Sequence, residues 1–483
     1  MRTKLTNYRY RIATTAIAFV AIITLSWETG ILHDNVTFVS HMSSTLIQNP
    51  FAWGSIPIQY DPGHPPFTAS YLAFIWCFVG RSLSTSHLAL YPFVLLALAM
   101  LMRLISFFIG QLKLNEQQTD LYASICFALC TLDPTFSASL TLIGPEVFLL
   151  SFTLTSLVGM LEKRNIVFVI GLCLLGITSM RGMMICVGIC LTDIISTLNK
   201  TKGWKSIYHR LFCYLLGSLP ALAFVLWRLL DKGWITSNPV AFQMTVWPEG
   251  GFKGFISNFV HNSIVFVRWL LDFGRFVPIA IVLWLSIKHR KELETDPHFK
   301  ELAMLCCIPT SVVIITSLLI HNTMGHRYFT LTYLLIVLTA VYLLLTYSKR
   351  LRTTSLALIA MAAIGGDFLI YPDAISQGWD ASLAHIHYWN IRKEALEYMK
   401  KENITPEEVC KYGFGNCNDD SDLGGDTRPY QITNDCRYAM CSNIDNLADE
   451  DITLLNKEYV RIKRFKEMGV WIDLLERKES SGQ

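Results

Sequence analysis

The chain has 483 residues, of which 52% are hydrophobic and 16% are charged, and its formal net charge is +3 at pH 7. Its mean hydropathy is +0.38. The apolar residues fall in runs long enough to cross a bilayer, so the composition excludes a soluble globular protein. The small charge and the lack of a glycine-rich phosphate loop or a dinucleotide fingerprint give no reason to expect nucleic-acid or nucleotide binding. The sequence predicts an all-α polytopic membrane protein.

The first apolar run, Ile12 to Trp27, follows four basic residues: Arg2, Lys4, Arg9 and Arg11. It has no convincing small-residue cleavage site, so we expect a retained membrane helix rather than a signal peptide. Because basic residues beside a span favour the cytoplasmic side, the N-terminus is predicted to be cytoplasmic.

Ten further apolar segments bring the prediction to about eleven spans: residues 88–110, 121–141, 147–161, 165–180, 182–198, 208–230, 259–287, 302–321, 327–346 and 352–371. The basic clusters then all fall on one side, which the positive-inside rule assigns to the cytoplasm: residues 162–164, 200–205, 288–291 and 349–352. The outer side holds residues 28–87, 142–146, 231–258, 322–326 and the chain after about 372.

The apolar run from Phe67 to Gly80 is treated differently. It spans about 14 residues, or roughly 21 Å as a helix, against a hydrocarbon core of about 30 Å. Counting it as a span would also reverse the side of every later basic cluster. We therefore predict a helix that lies along the outer surface, within a transmembrane domain of residues 1–371 whose first outer loop is 28–87.

Residues 372–483 are richer in charged residues and are predicted to form a small outer soluble domain, α-rich, with helices around 388–402 and 450–476. Four cysteines lie close together in this segment: Cys410, Cys417, Cys436 and Cys441. In an outer domain they indicate two disulfides, with three pairings left open. A zinc site is the alternative interpretation.

The first outer loop contains Asp61-Pro62-Gly63-His64-Pro65-Pro66, in which the prolines stiffen the backbone around two ionisable side chains. Further ionisable residues stand at predicted outer borders of the membrane: Glu28, His33, Asp34, Glu146, Arg181, His326 and Arg327. Each alone is typical of an interfacial anchor. Together, acidic groups with Arg and His on one face suit a reaction in which a base activates a hydroxyl while cations hold a phosphate leaving group.

This order of motifs, ending in Gly325-His326-Arg327-Tyr328-Phe329, resembles the GT-C membrane glycosyltransferases. The similarity is greatest to the protein O-mannosyltransferase-like branch and the lipid A aminoarabinose transferases. The resemblance implies that Asp34 is the catalytic base and that Glu146 is the second acidic catalytic position. It implies a substrate-binding role for Asp61, His64, Arg181, His326, Arg327 and Tyr328.

In this family the first acidic residue often stands in an Asp-Glu pair, whereas here Asn35 follows Asp34. The missing carboxylate puts metal binding there in doubt, so a requirement for a divalent cation is left open. No other cofactor is expected.

The resemblance further implies an inverting transfer of sugar from a polyprenyl-phosphate donor to a hydroxyl at the outer face of the inner membrane. The additional outer domain favours a lipopolysaccharide O-antigen or a related envelope glycan as acceptor, and the layout is similar to phage-type serotype-converting glycosyltransferases. A lipid or protein acceptor is the alternative. A donor synthase and a flippase are expected partners.

Two other functional classes are considered. A transporter or flippase of lipid-linked sugar would use charges in or near the spans, namely Arg103, Asp193, Arg228, Arg268 and Asp272. The sequence shows neither the internal repeat nor the matched broken spans typical of alternating access. A receptor or scaffold would leave the acidic and His-Pro-Pro residues without a role.

Overall fold

The computed structural model describes residues 8–200, 204–235, 250–319, 324–373, 375, 377–412, 420–428, 436–445, 447 and 449–478. Within these residues, the helices are α1 (Arg9–Ser26), α2 (Met42–Thr45), α3 (Phe67–Val79), α4 (Leu83–Ile109), α5 (Glu116–Thr131), α6 (Pro134–Thr141), α7 (Glu146–Leu161), α8 (Asn165–Gly176), α9 (Met180–Lys200), α10 (Trp204–Lys232), α11 (Gly251–Leu271), α12 (Phe276–Lys288), α13 (Arg290–Leu293), α14 (Pro297–Leu319), α15 (Thr330–Tyr347), α16 (Arg352–Asp367), α17 (Ala384–Lys401) and α18 (Asp449–Glu458). The strands are β1 (Val409–Lys411), β2 (Tyr438–Ser442), β3 (Tyr459–Glu467) and β4 (Val470–Arg477).

Helices occur at every predicted span, which confirms a polytopic helical membrane protein. In the described part of the chain, six helical segments are long and apolar enough to cross a bilayer, and two bent helix pairs raise the number to eight. Helices α7 and α8 are shorter apolar helices, as is α3. The predicted count of about eleven therefore includes shorter helices as well as full-length ones.

The predicted span at 121–141 is not one straight helix, because α5 and α6 meet at a bend of 74°. Asp133 caps the start of α6 by accepting a hydrogen bond from the backbone N–H of Phe136 at 3.0 Å. Pro134 occupies the first position of α6, where its missing N–H costs no helical hydrogen bond. This start signal inside an apolar run breaks the span.

The predicted span at 259–287 is also wrong in shape, since α11 and α12 are bent by 91°. Gly274 has a φ of +79° at the bend, and a Cβ there would lie only 2.1 Å from the carbonyl oxygen of Ala362. Arg275, which directly precedes α12, binds Asp133 with its Nε 2.7 Å from Oδ2. This buried ion pair joins the two bends.

Helix α15 forms the centre of the bundle and is buried along most of its length. It packs against α5, α12 and α14. The turn His326–Phe329 leads directly into it. Residues in that turn are therefore attached to a helix that is buried along most of its length.

The short helix predicted after the His-Pro-Pro motif is confirmed as α3. It begins directly after Pro66 and ends at Gly80, whose φ is +92°. Its 13 residues give a length of about 20 Å. Phe74 and Phe78 are exposed on its surface, as expected for a helix that contacts lipid.

The C-terminal segment contains a four-stranded sheet with strand order β1-β2-β4-β3, in which β1 and β2 are parallel and the other pairs are antiparallel. Helix α17 packs against β3 and β4. The helix predicted around 388–402 is confirmed, but the one at 450–476 is wrong beyond Glu458. A hairpin follows instead, because Val, Ile, Phe and Trp favour strands and Met468-Gly469 supplies two positive φ angles for the turn.

One predicted disulfide is present. Cys410 and Cys436 are bonded, with 5.7 Å between their Cα atoms, and they link β1 to the residue pair that precedes β2. Cys441 is a buried free cysteine, so it does not form the second predicted bridge, and Cys417 lies outside the described residues. The bridge also removes two of the four ligands from the zinc alternative.

Replacing both Cys410 and Cys436 by serine should destabilise the sheet by about 2–4 kcal/mol, because the open chain gains conformational freedom when unfolded. We expect faster hydrogen exchange in β1 and β2 of the full-length protein in detergent. The matched control is Cys307→Ser, which changes an exposed free cysteine. Unchanged protection of both strands would contradict a stabilising role.

Candidate active site

Arg327 brings together three carboxylates from distant parts of the chain. Its Nη2 lies 3.1 Å from Oδ2 of Asp34, and its Nε lies 3.4 Å from Oε1 of Glu146 and 3.3 Å from Oδ2 of Asp380. Gly325 makes room for this approach, since a Cβ there would lie 2.9 Å from Oδ2 of Asp380. Two of these carboxylates, Asp34 and Glu146, are the predicted catalytic pair.

The guanidinium of Arg327 keeps unused donors although it is buried. Its Nε and Nη1 have no hydrogen-bond partner among the described residues. The Trp379 ring centroid lies 4.7 Å from its central carbon. Because a buried donor without a partner is costly and a guanidinium matches the geometry of phosphate, this arrangement is typical of an anion site.

Arg181 lies beside Arg327 near the start of α9. Its Nη2 is 3.1 Å from Oε1 of Glu146, and its Nη1 donates to the backbone carbonyl of Arg327 at 3.4 Å. Its guanidinium carbon stacks 4.1 Å above the centre of the Tyr328 ring. Glu146, the first residue of α7, therefore holds both arginines in place.

Asp34 uses both carboxylate oxygens. Oδ1 is 2.7 Å from Nδ1 of His33, and Oδ2 contacts Arg327. The His33 ring in turn stacks on Trp379, with 6.4 Å between ring centroids and 21° between planes. The side chain of Asp34 is 38% exposed, so the carboxylate borders a space that solvent can enter.

The charges in this cluster change the protonation of its carboxyl groups in opposite directions. Although burial acts to raise it, the hydrogen bond from His33 and the charge and hydrogen bond of Arg327 hold the pKa of Asp34 well below its ordinary value. Burial raises the pKa of Asp380, and the neighbouring Glu146 and Asp34 act in the same direction. Asp34 therefore stays ionised at neutral pH.

Asp61 has a structural contact rather than an open carboxylate. Its Oδ1 lies 2.8 Å from Nη2 of Arg228 on α10, and both side chains are almost completely buried. Oδ1 also accepts a hydrogen bond from the N–H of Gly63 at 3.0 Å. This pair anchors the first outer loop to α10.

His64 is exposed, in contrast to Asp61. Although the side chain reaches solvent, the surrounding protein removes part of its hydration and, together with the charges of Arg181, Arg228 and Arg327, lowers the pKa of His64 to about 4. The charges of three guanidinium groups thus act on this one side chain.

His326 points away from this cluster. Its side chain is buried, its ring lies 4.5 Å from the Trp269 ring, and its Nε2 is 3.2 Å from the hydroxyl of Tyr371. In the described structure it contacts none of the three carboxylates that surround Arg327. The predicted residues that come together are therefore Asp34, Glu146, Arg181, Arg327 and Tyr328, with His64 nearby.

Sequence reasoning did not include Trp379 and Asp380 in the site. They follow the last predicted span in Gly378-Trp379-Asp380 and share no motif with the other site residues. A tryptophan next to an acidic residue just after a span is a weak signal, and no spacing links it to Arg327. Among the described residues, no group of three or more His, Cys, Asp or Glu is arranged to hold a metal ion.

The bundle, with its buried arginines and carboxylates at one end, shares its fold with solved structures of ArnT, as the resemblance to the GT-C membrane glycosyltransferases led us to expect. It is similar to ArnT from Cupriavidus metallidurans bound to undecaprenyl phosphate, with a TM-score of 0.53 and 11% identity over 96% of this chain and 97% of that chain. The apo structure of ArnT gives a TM-score of 0.53 and 12% identity over the same shares. No protein-family model and no curated protein matches the sequence.

Arg228→Met should destabilise the protein by about 3–5 kcal/mol, because the buried carboxylate of Asp61 loses its arginine. The measurement is the thermal unfolding midpoint in detergent. As the matched comparison, the double variant Asp61→Asn/Arg228→Met should recover part of the loss. An unchanged midpoint in Arg228→Met would show that the pair does not anchor the loop.

Anion binding should be coupled to protonation of His64. An anion beside the three arginines offsets their charge and raises the pKa of His64 from about 4, so the complex binds more protons and forms more tightly as the pH falls. Sulfate is a suitable probe because its charge is constant over this range. We expect greater thermal stabilisation by sulfate at about pH 5 than at pH 7.5, and loss of this difference in His64→Gln. Equal pH dependence in both proteins would contradict the coupling.

Proposed function

We propose that the protein is an inverting glycosyltransferase that uses a polyprenyl-phosphate sugar as donor and a hydroxyl of an envelope molecule as acceptor. The observation that carries this proposal is the buried guanidinium of Arg327, with unused donors, beside Arg181 and the ionised Asp34. The fold supports it because ArnT, with the same fold, has undecaprenyl phosphate bound.

The cation side of the site would hold the leaving group. The isoprenoid tail of the donor stays in lipid, while Arg327 and Arg181 bind the phosphate at the membrane border and stabilise the charge that develops on it. Glu146 keeps the two arginines at the right separation. His64, which is neutral near three arginines, would offer a polar group to the donor without adding a charge to the site.

The acceptor side would lie at Asp34. In a single displacement the hydroxyl attacks the anomeric carbon from the face opposite the phosphate, which inverts its configuration. Removal of the hydroxyl proton then depends on the ionised carboxylate of Asp34 and its partner His33.

The acceptor we propose is lipopolysaccharide O-antigen or a related envelope glycan. Trp379 and Asp380, near the start of the C-terminal domain, lie directly at the site, so an acceptor at Asp34 would also meet this part of the domain. Aromatic rings such as Trp379 suit the apolar faces of sugars. A protein acceptor is the alternative, which the assay below distinguishes.

The orientation we propose has the N-terminus in the cytoplasm and the C-terminal domain outside. The disulfide between Cys410 and Cys436 supports this, since such bonds persist in oxidising compartments. Donor made in the cytoplasm would have to reach the outer leaflet, so a donor synthase and a flippase are proposed partners.

The alternative of a transporter is less well supported. Each of the five charges that could have lined a path is engaged in an ion pair: Arg103 with Glu162, Asp193 with Arg210, Arg228 with Asp61, and Arg268 with Asp272. Each of these charges therefore already has a protein partner, and a passing substrate would have to displace it.

Transfer of radiolabelled sugar from synthetic polyprenyl-phosphate donors to envelope fractions tests the proposal. Wild type should label the glycan fraction, and Asp34→Asn should lower the rate by about 10²- to 10⁴-fold. Arg103→Lys, far from the cluster in the helical bundle, is the control for handling in detergent. A parallel assay in the presence of a metal chelator shows whether a divalent cation is needed.

Labelling of protein instead of glycan would support the alternative acceptor. No transfer by folded wild type with any common donor would contradict the proposed function.

A further inference from the structure

His33 and Asp34 form a histidine–carboxylate pair at the acceptor side of the site. We infer that Nε2 of His33 is the atom that takes the proton from the acceptor hydroxyl, with Asp34 as its positioning partner. This inference rests on the proposed function. His33 would then carry out the proton transfer that the family resemblance implies for Asp34.

The hydrogen-bond arrangement leaves one ring nitrogen available. Nδ1 of His33 is 2.7 Å from Oδ1 of Asp34, and an ionised carboxylate can only accept, so Nδ1 carries the proton in this bond. Nε2 is then the acceptor in the neutral ring, and it has no hydrogen-bond partner among the described residues. The side chain is 20% exposed, which gives a substrate hydroxyl access to it.

The carboxylate itself is poorly suited to the same task. Both oxygens of Asp34 are already engaged, one by His33 and the other by Arg327. The low pKa of Asp34 that results from these contacts makes it a weak base. A carboxylate that orients an imidazole and stabilises the imidazolium has the role of the third residue in a catalytic triad.

The backbone at His33 is in a conformation that side chains rarely adopt. Its φ is +45°, in the left-handed region, and this strain is common at functional sites. Neighbouring contacts hold it: the side chain of Asn35 donates to the carbonyl of Ile143 at 3.0 Å, and the N–H of Val36 donates to the carbonyl of His33 at 2.9 Å. The ring is kept against Trp379 as a consequence.

Transfer of the sugar and of the hydroxyl proton requires no further reactant. The acceptor oxygen forms a bond to the anomeric carbon while the bond from that carbon to the phosphate oxygen breaks, and its electron pair leaves with the polyprenyl phosphate. The hydroxyl proton moves to Nε2 of His33 and is later released to solvent. Arg327 and Arg181 hold the phosphate, and the charge of Asp34 stabilises the imidazolium.

The test is the dependence of initial transfer rate on pH for purified wild type, His33→Gln and Asp34→Asn. His33 contacts Asp34 on its own segment, and Asp34 contacts Arg327 from the turn before α15. Arg327 in turn contacts Glu146 from α7 and Asp380 from the segment before α17, which are the other charged groups of this cluster. The phosphodiester donor keeps one charge throughout, so a change between about pH 5 and 8 reports an imidazole or a shifted carboxyl group.

We expect wild type to lose activity on the acid side of this range. His33→Gln should be slower by about 10²- to 10⁴-fold and should lack this acid limb. Asp34→Asn should be slower but should keep an acid limb, because the imidazole is still present. Added imidazole should restore part of the activity of His33→Ala, which a purely structural role of the ring would not allow.

The matched control is His387→Gln. His387 forms an equivalent pair on the C-terminal domain, with its Nδ1 3.0 Å from Oε1 of Glu467, and should leave the rate and the pH profile unchanged. A wild-type pH profile in His33→Gln, at a rate within a factor of about ten of wild type, would overturn the inference. If that variant does not fold, His33→Asn is measured in its place. Absence of transfer by wild type would instead overturn the proposed function.

Discussion

The arrangement of the site depends on the charge of Arg327. The guanidinium in the turn before the central helix α15 is largely removed from water, and burying it is costly unless carboxylates compensate. Those carboxylates come from the first outer loop, from α7 and from the segment before α17, as Asp34, Glu146 and Asp380. Three segments that are distant in sequence are thus required to meet at one point. Folding of the bundle and assembly of the site are the same event.

The C-terminal domain also helps to position the site. The backbone carbonyl of Asp422 accepts a hydrogen bond from the N–H of Ile31 at 2.7 Å, and its carboxylate forms a buried ion pair with Arg392 on α17 at 2.8 Å. Arg81, which follows α3, donates to the carbonyl of Asp420 at 3.0 Å. These contacts hold the segment that leads into His33 and Asp34. The C-terminal domain therefore fixes the position of His33 and Asp34.

The sequence predicted the parts of this structure that depend on local composition. Long apolar runs predicted the helices, and charged residues at the ends of those runs predicted four of the residues at the site: Asp34, Glu146, Arg181 and Arg327. The bends at Asp133 and Gly274 were missed because hydropathy averaged over a span hides one capping residue or one glycine. The β3–β4 hairpin was missed because its Lys, Arg and Glu residues also suit a helix. Asp380 has no local signal, since only the tertiary fold brings it to Arg327.

The contact between Asp34 and Arg327 suggests why donor and acceptor would react only together. The cluster already contains more carboxylates than guanidinium groups, so a phosphate that binds Arg327 must compete with them. Asp34 is the most exposed of the three and is the one best placed to yield. Once released from Arg327, its carboxylate would interact with His33 alone. Binding of the donor would then change the surroundings of the pair that we propose accepts the acceptor proton.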